Sequence, residues 1–480
     1  MKKAPLLEEL LKYKEEENLI LSMPGNKSGK AFLRDALGER FKNSLGDLDI
    51  TEVDPLDNLH APEGVIKEAQ ELLRETYKAK KAYFLVNGST SGNLISIFSA
   101  FKEGDEVLVE RNCHKSIYNA LILRKLKVVY VDASYNEALG IFMPIDENNI
   151  KIALKKATNP KGIILTNPNY YGIVSNLEEI IKELKAKGLK IIIDSAHGAH
   201  FGFSESLPKS VVALGDYVVL SAHKTLPSLT QGGYLIVNEE NENVEFYLKV
   251  FMTTSPSYLI MASLDYARYY LDSYAKEDYN NLIKLSEEYK NKINKTKKVK
   301  ILDLEDINGS YEIDKSRYVM ILGEGYSGHK LLDYLRSKKI QAEMSFLRGV
   351  VLILSPSNTK EDFEKILKSI EELDIDLLKD EKIEFIKRNI DSIKALEPFE
   401  VFDLKGEVVL INDSTNRISK DFIVPYPPGI PLVLPGEVIT KEAINIINEY
   451  LNNNFILKNI LCQYLLTYIN FYIFSLVFIL

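Results

Sequence analysis

A chain of 480 residues is too long for one small hydrophobic core, so two or three domains are expected; 46% apolar and 27% charged residues exclude a disordered protein. A formal net charge of −8 leaves no excess of Lys and Arg to neutralise phosphates along a groove, which argues against a nucleic-acid partner. Two cysteines, Cys113 and Cys462, are too few for a disulfide framework or a four-cysteine zinc site and fit a reducing cytoplasm.

Met1-Lys2-Lys3-Ala4-Pro5 leads into Glu-rich sequence with no apolar signal-peptide core. Residues 12–18 are charged and helix-prone and run into the turn segment Met23-Pro24-Gly25-Asn26-Lys27-Ser28-Gly29, so residues 1–45 read as an N-terminal arm. Between about Val86 and Val237, within a large domain expected over 46–285, short β-branched runs alternate with amphipathic stretches. The runs are 107–109, 128–131, 163–165, 191–193, 218–220 and 234–237, with helices expected at 116–125 and at 177–187, the second stopped by Gly188. Strands without polar alternation, separated by helices, predict an α/β large domain whose mostly parallel sheet is covered on both faces.

The charged stretch 278–298 reads as a connecting helix, and strands at 318–322 and 350–354 flanking helices at 328–338 and 360–373 predict a smaller α+β domain over 286–454. The proline-rich run 425–431 can neither donate to a ladder nor continue a helix, so it is an ordered loop or a linker. Residues 455–480 form an apolar tail, and the 22 uncharged residues from Asn459 to Leu480 are long enough to span a bilayer as a helix. Three readings stand for it: altered sequence, a tail anchor or a buried helix. Membrane contact is expected only if the tail inserts.

Four clusters fall at predicted strand ends, where open parallel sheets bind ligands. Asn87-Gly88-Ser89-Thr90-Ser91-Gly92-Asn93 joins a strand to an apolar helix; small residues and hydroxyls at a helix N-terminus suit a phosphate, and equally suit a capped turn without a ligand. Asp194-Ser195-Ala196-His197-Gly198-Ala199-His200 offers a carboxylate that can keep a pyridine nitrogen protonated. Its two histidines have no third ligand nearby, and no metal is expected. Ser221-Ala222-His223-Lys224 places an amine in apolar surroundings, where desolvation lowers its pKa as Schiff-base chemistry needs. Arg111-Asn112-Cys113-His114-Lys115-Ser116 offers an imidazole that can stack on a planar cofactor or serve structurally. A phosphate loop, an acid about a hundred residues on and a lysine 30 residues after it match the order and scale of a domain that binds pyridoxal phosphate (PLP).

These clusters, together with Leu56-Asp57-Asn58-Leu59-His60-Ala61-Pro62-Glu63-Gly64, Thr253-Thr254-Ser255-Pro256-Ser257-Tyr258 and Pro427-Pro428-Gly429-Ile430-Pro431 through Pro435-Gly436-Glu437, resemble the bacterial ornithine/lysine/arginine decarboxylases of the aspartate-aminotransferase-like fold, in their short form. The likeness runs from about Met23 to about Glu442. It implies PLP on Lys224, Asp194 at the pyridine nitrogen, His114 stacked on the ring and His197 beside the reacting carbon. Ser89, Thr90, Ser91, Ser221 and His223 would hold the phosphate, Thr254 or Ser255 would reach the cofactor of a partner subunit, and Glu437 would meet the distal cation of the substrate. It further implies loss of CO2 from arginine, lysine or ornithine to give agmatine, cadaverine or putrescine for polyamine biosynthesis, by a cytoplasmic homodimer or higher homo-oligomer. Two departures stand out: Asn26 replaces a histidine usual in the family, and the apolar tail replaces a charged ending. The rival readings are another PLP enzyme of this fold, such as an aminotransferase, which predicts an arginine dedicated to the α-carboxylate, and an inactive or membrane-tethered relative.

Overall fold

The computed structural model describes residues 4–380, 392–426, 431–452, 456–458 and 476–479. Its centre is a seven-stranded sheet of β1 (Lys81–Leu85), β2 (Glu106–Glu110), β3 (Lys127–Val131), β4 (Pro160–Thr166), β5 (Lys190–Asp194), β6 (Tyr217–Leu220) and β7 (Gly233–Val237). Across the sheet the order is β1-β7-β6-β5-β4-β2-β3. Only β7 is reversed, lying antiparallel to both β1 and β6. Every residue of β6 and β7 is buried, as strands covered on both faces require. The apolar runs of the sequence therefore mark β2 to β7 to within three residues at either end.

Helices on the sheet start where the sequence supplies starts and stop where it supplies stops. His114 caps the helix Lys115–Arg124 through its own ring nitrogen, which accepts the Ser116 N–H. Gly188, at φ +80°, ends the helix Glu178–Ala186 in the left-handed conformation that glycine adopts without strain. The helix Gly88–Ala100 lies tightly on the sheet because residue 92 has no side chain: a Cβ there would sit 2.6 Å from Leu85 Cδ1 and 2.8 Å from Val219 Cγ1.

The 21-residue helix Ala275–Lys295 leads to a second, antiparallel sheet in the order Lys300–Ile301, Arg317–Ile321, Gly349–Ile353, Met344–Phe346. Two short pairings tie this unit down. Leu19–Leu21 of the arm pairs in parallel with Ile340–Ala342, and Tyr311–Ile313 pairs with Ile173–Ser175 of the large domain. Beyond it lies a third unit with its own core, built on Ile411, Ile423, Val433, Ile439, Ile447 and Tyr450. The stretch 286–454, expected as one small domain, thus carries two packed units.

The described parts of the apolar tail are strands. Ile456–Lys458 pairs with Val424–Tyr426, and Leu476–Ile479 pairs with Glu407–Leu410, burying Val477 and Ile479 in the third core. Residues 459–475, on which the helix expectation mainly fell, lie outside the described residues, as do 427–430 of the proline-rich run. Among the described residues no helix is long and apolar enough to cross a membrane.

Substituting Gly92→Val forces the Gly88–Ala100 helix off β1 and β6, with an expected loss of about 1–3 kcal/mol from overpacking. Urea denaturation of the variant beside the parent chain reads that loss directly.

Candidate active site

Glu110, Thr166, Asp194 and Leu220 close β2, β4, β5 and β6, four neighbouring strands, so the parallel sheet brings their C-terminal ends to one edge. A cavity of about 430 Å³ opens there, lined among others by Ser89, His114, Asp194, His197 and Lys224, with Tyr170 and Thr166 beside them. Five residues singled out in the sequence therefore share one pocket, although up to 135 positions separate them.

Asp194 is 3% exposed and held at both oxygens: Asn93 Nδ2 donates to Oδ2 at 2.9 Å and Ala196 N to Oδ1 at 3.1 Å. Asn93 also donates to Ser116 Oγ at 2.9 Å, and Ser116 Oγ lies 2.8 Å from His114 Nδ1. Because Nδ1 accepts the Ser116 backbone N–H, the hydroxyl donates to it as well, and one chain of hydrogen bonds runs from His114 to Asp194. The His114 ring is exposed and faces the cavity.

Lys224 sits in the short helix Ala222–Thr225 directly after β6, with Nζ 3.1 Å from His197 Nε2. Loss of water around the amine holds its pKa below the ordinary lysine range, with Arg317 pushing the same way and Asp194 and Glu343 opposing. His197 is held well below the usual histidine range, first by burial and then by the neighbouring cations Lys224 and Arg317. Its ring meets the Tyr170 ring edge-on, with centroids 4.9 Å apart.

The other phosphate candidates divide. Ser89 lines the cavity and Thr90 is exposed at the same helix start, but Ser91 is buried and its hydroxyl donates to Gly88 O at 2.8 Å. Ser221 is buried with Oγ 3.2 Å from His223 Nδ1, which lies 2.9 Å from the Gly232 carbonyl and so donates to it. Thr254 and Ser255 are exposed, on a loop outside the cavity that is fastened by Thr253 N to Asn87 Oδ1 at 3.3 Å and by His60 Nε2 to Thr253 O at 2.7 Å. Asp57 of the same early motif accepts the N–H groups of Gly64 and Ile66 and so fixes the start of the helix Val65–Thr76.

Glu437 is not placed as expected. Its carboxylate accepts two hydrogen bonds from Arg111, at 2.5 and 2.7 Å, and is 1% exposed, so it is committed within the chain and does not line the cavity. This pair joins the third unit to the end of β2, and Phe422, Val424 and Pro431 of that unit form a wall of the pocket. Burial works against the Arg111 charge, but the hydrogen bonds to Glu437 outweigh it and raise its pKa.

The departure at Asn26 also has a structural account. Asn26 is buried, donates to Ser228 O at 2.9 Å and accepts Gly29 N at 3.1 Å, while the adjacent Gly25 N donates to His223 O at 2.7 Å. The arm is thereby seated on the segment that carries Lys224.

Three residues near the pocket escaped the sequence reading. Arg317 arrives from the second sheet with its guanidinium 3.5 Å from His197 Nδ1, and nothing in its neighbours Ser316 and Tyr318 signals a site. Glu110 was hidden as the last residue of a strand; burial pushes its carboxyl up to about 7, with Asp194 adding and the Thr166 N–H opposing. Asn93 was read as part of a loop, not as the group that orients Asp194.

Comparison with known proteins decides the family. The model for the major domain of ornithine/lysine/arginine decarboxylases matches residues 4–320, and the model for their C-terminal domain matches 390–458. The chain belongs to the ornithine/lysine/arginine decarboxylase family. It is 35% identical to the uncharacterized protein YaaO of Bacillus subtilis over 92% of both chains, and 31% identical to the arginine decarboxylase of Halalkalibacterium halodurans over 93% of both. Among solved structures it resembles the constitutive lysine decarboxylase of E. coli, with a TM-score of 0.80 at 19% identity, over all of this chain and 82% of that one. The cofactor of this decarboxylase family is PLP. The donor set fits it: a desolvated amine, an oriented carboxylate, a glycine-started helix with hydroxyls and an open imidazole face surround one cavity.

Replacing Glu437 with Gln removes the charge opposite a buried guanidinium and is expected to destabilise the chain by about 3–5 kcal/mol, measured by urea denaturation. Glu110 binds its proton more tightly folded than unfolded, so its contribution to stability is full below pH 4.5 and is lost as pH rises through about 7. Glu110→Gln should flatten the pH dependence of the unfolding midpoint over that window.

Proposed function

We propose that this decarboxylase acts on a basic amino acid, arginine, lysine or ornithine, releasing CO2 and agmatine, cadaverine or putrescine, with Lys224 as the amine that carries PLP. The observation that supports the reading is the pairing of a desolvated Lys224 with a doubly anchored Asp194 in one cavity. Bound PLP supplies an aldehyde that condenses with amines and a ring that accepts the electrons of the Cα–carboxylate bond.

Lys224, whose ammonium form burial disfavours, would offer the lone pair such condensation needs. Asp194, kept in place by Asn93 and Ala196, would keep the pyridine nitrogen of bound PLP protonated. His114 would stack on the ring, and the hydroxyls of Ser89 and Thr90 with the N–H groups of their helix would hold the phosphate. Ser221 and His223 lie at the same end. Ser91 contributes its backbone N–H, because its hydroxyl proton is already given to Gly88. His197 stands beside the amine with Nε2 in position to move a proton.

The exposed loop carrying Thr254 and Ser255 belongs in a homodimer, reaching the pocket of the partner subunit. Polyamine formation in the cytoplasm is the setting that fits such a product and the free, buried Cys113.

Incubating the PLP-loaded protein with each of the three amino acids and identifying the amine released names the substrate. Lys224→Ala should lose the visible absorbance of a lysine-bound cofactor and at least about a thousandfold in turnover. No amine from any of the three, or an unchanged spectrum in Lys224→Ala, overturns the proposal.

A further inference from the structure

Arg317 opens the second-sheet strand Arg317–Ile321 and is carried to the pocket by the pairing of Tyr311–Ile313 with Ile173–Ser175. Its side chain is 1% exposed, donates to Tyr170 O at 2.6 Å and lies 3.5 Å from His197 Nδ1. The other nitrogen of that imidazole, Nε2, is 3.1 Å from Lys224 Nζ. The three side chains form a line from one domain to the other.

The direction of each hydrogen bond in this line is set by Arg317. A guanidinium has no lone pair to give and stays protonated, so it can only donate. His197 Nδ1 must then accept, and a neutral imidazole that accepts at Nδ1 carries its proton on Nε2. That proton faces Lys224, where only an unprotonated amine can receive it. An ammonium at Lys224 would instead set one N–H against another.

We infer that Arg317 is a positioning residue: it fixes the tautomer of His197 so that Nε2–H is donated to Lys224, keeping that amine neutral and aimed before an aldehyde arrives.

The surroundings agree with this assignment. Facing the His197–Lys224 pair are Asp194 on the large sheet, His114 at the start of the helix Lys115–Arg124, His223 in the short helix that carries Lys224, and Glu343 just before the second-sheet strand Met344–Phe346, with the Tyr170 ring on His197. Glu343 is itself taken up by Tyr170 OH at 2.5 Å and Met23 N at 2.9 Å. Lys27, from the arm, donates to the Ile353 carbonyl at 3.0 Å and is held at about 7 by burial, with Glu343 raising and Arg317 lowering its pKa. The Arg317 charge is met at longer range by Asp314, 3.9 Å away, which also pairs with His200 at 3.2 Å. Thus the second histidine of the Asp194–His200 segment orders the acid behind Arg317, and the first receives the hydrogen bond in front of it.

The inference rests on Lys224 being the cofactor amine, and the test separates the two. In cofactor-free protein the pH dependence of Lys224 acylation, read by peptide mass spectrometry, gives the midpoint of amine deprotonation. In PLP-loaded protein the pH titration of the visible band gives a second readout.

Arg317→Met should raise the acylation midpoint by about one pH unit, so that roughly tenfold less neutral amine is present below it. Arg317→Lys, which can still donate, should restore most of the difference. His197→Phe should give a similar rise, and Arg317→Met should add little on top of it, because the two act through one path. An unchanged midpoint in Arg317→Met, or shifts that simply add in the double variant, overturns the relay while Lys224 still carries the cofactor. If Arg317→Met does not fold, His197→Phe carries the test alone, and an unshifted midpoint there has the same force. Absence of the cofactor from Lys224 in the parent protein overturns the underlying reading instead.

Discussion

An amine enclosed by protein remains reactive only if its surroundings make the charged form unfavourable without removing the charges that chemistry needs nearby. That constraint organises this molecule. Desolvation and the cationic side of Arg317 disfavour an ammonium at Lys224, while Asp194, set one strand away, keeps negative charge within reach. The parallel sheet meets both demands because β5 and β6 deliver their last residues to the same edge, and the burial that keeps these strands apolar also dries the amine.

Everything around the pair serves to hold it still. Asn93 and Ala196 leave the Asp194 carboxylate no freedom to turn, and the Gly88–Ala100 helix that carries Asn93 reaches the sheet only because residue 92 lacks a side chain. The arm grips the Lys224 segment through Gly25 and Asn26, and the same arm pairs with the second sheet through Leu19–Leu21. A rigid frame for a small set of polar groups is what a preorganised site requires.

Much of this was legible in the sequence, and what was not has a physical cause. Strands buried on both faces announce themselves as unbroken apolar runs, so β2 to β7 were legible, as were Asp194 and Lys224 at the ends of two of them, while Glu110 at the end of β2 carried no signal of its own. The order of the phosphate loop, Asp194 and Lys224 is a local signal repeated three times. Long-range pairing leaves no such trace: Glu437 stands 326 positions from Arg111, and only the fold shows that its carboxylate is already taken. Arg317 was invisible for the same reason, its neighbours in sequence being ordinary strand residues. Composition alone reports the hydrophobicity of the tail and not its partner; of the described tail residues, Val477 and Ile479 find theirs within the third core.

The pairing of Arg111 with Glu437 has a consequence for assembly of the pocket. Lys224 and the strand ends beside it precede by about two hundred positions Phe422, Val424 and Pro431, which wall the pocket, and Glu437, which neutralises Arg111. Until Glu437 is in place Arg111 lacks the carboxylate that pairs with it in the folded chain, and the pocket lacks the wall formed by Phe422, Val424 and Pro431. Completion of the pocket therefore depends on the C-terminal unit.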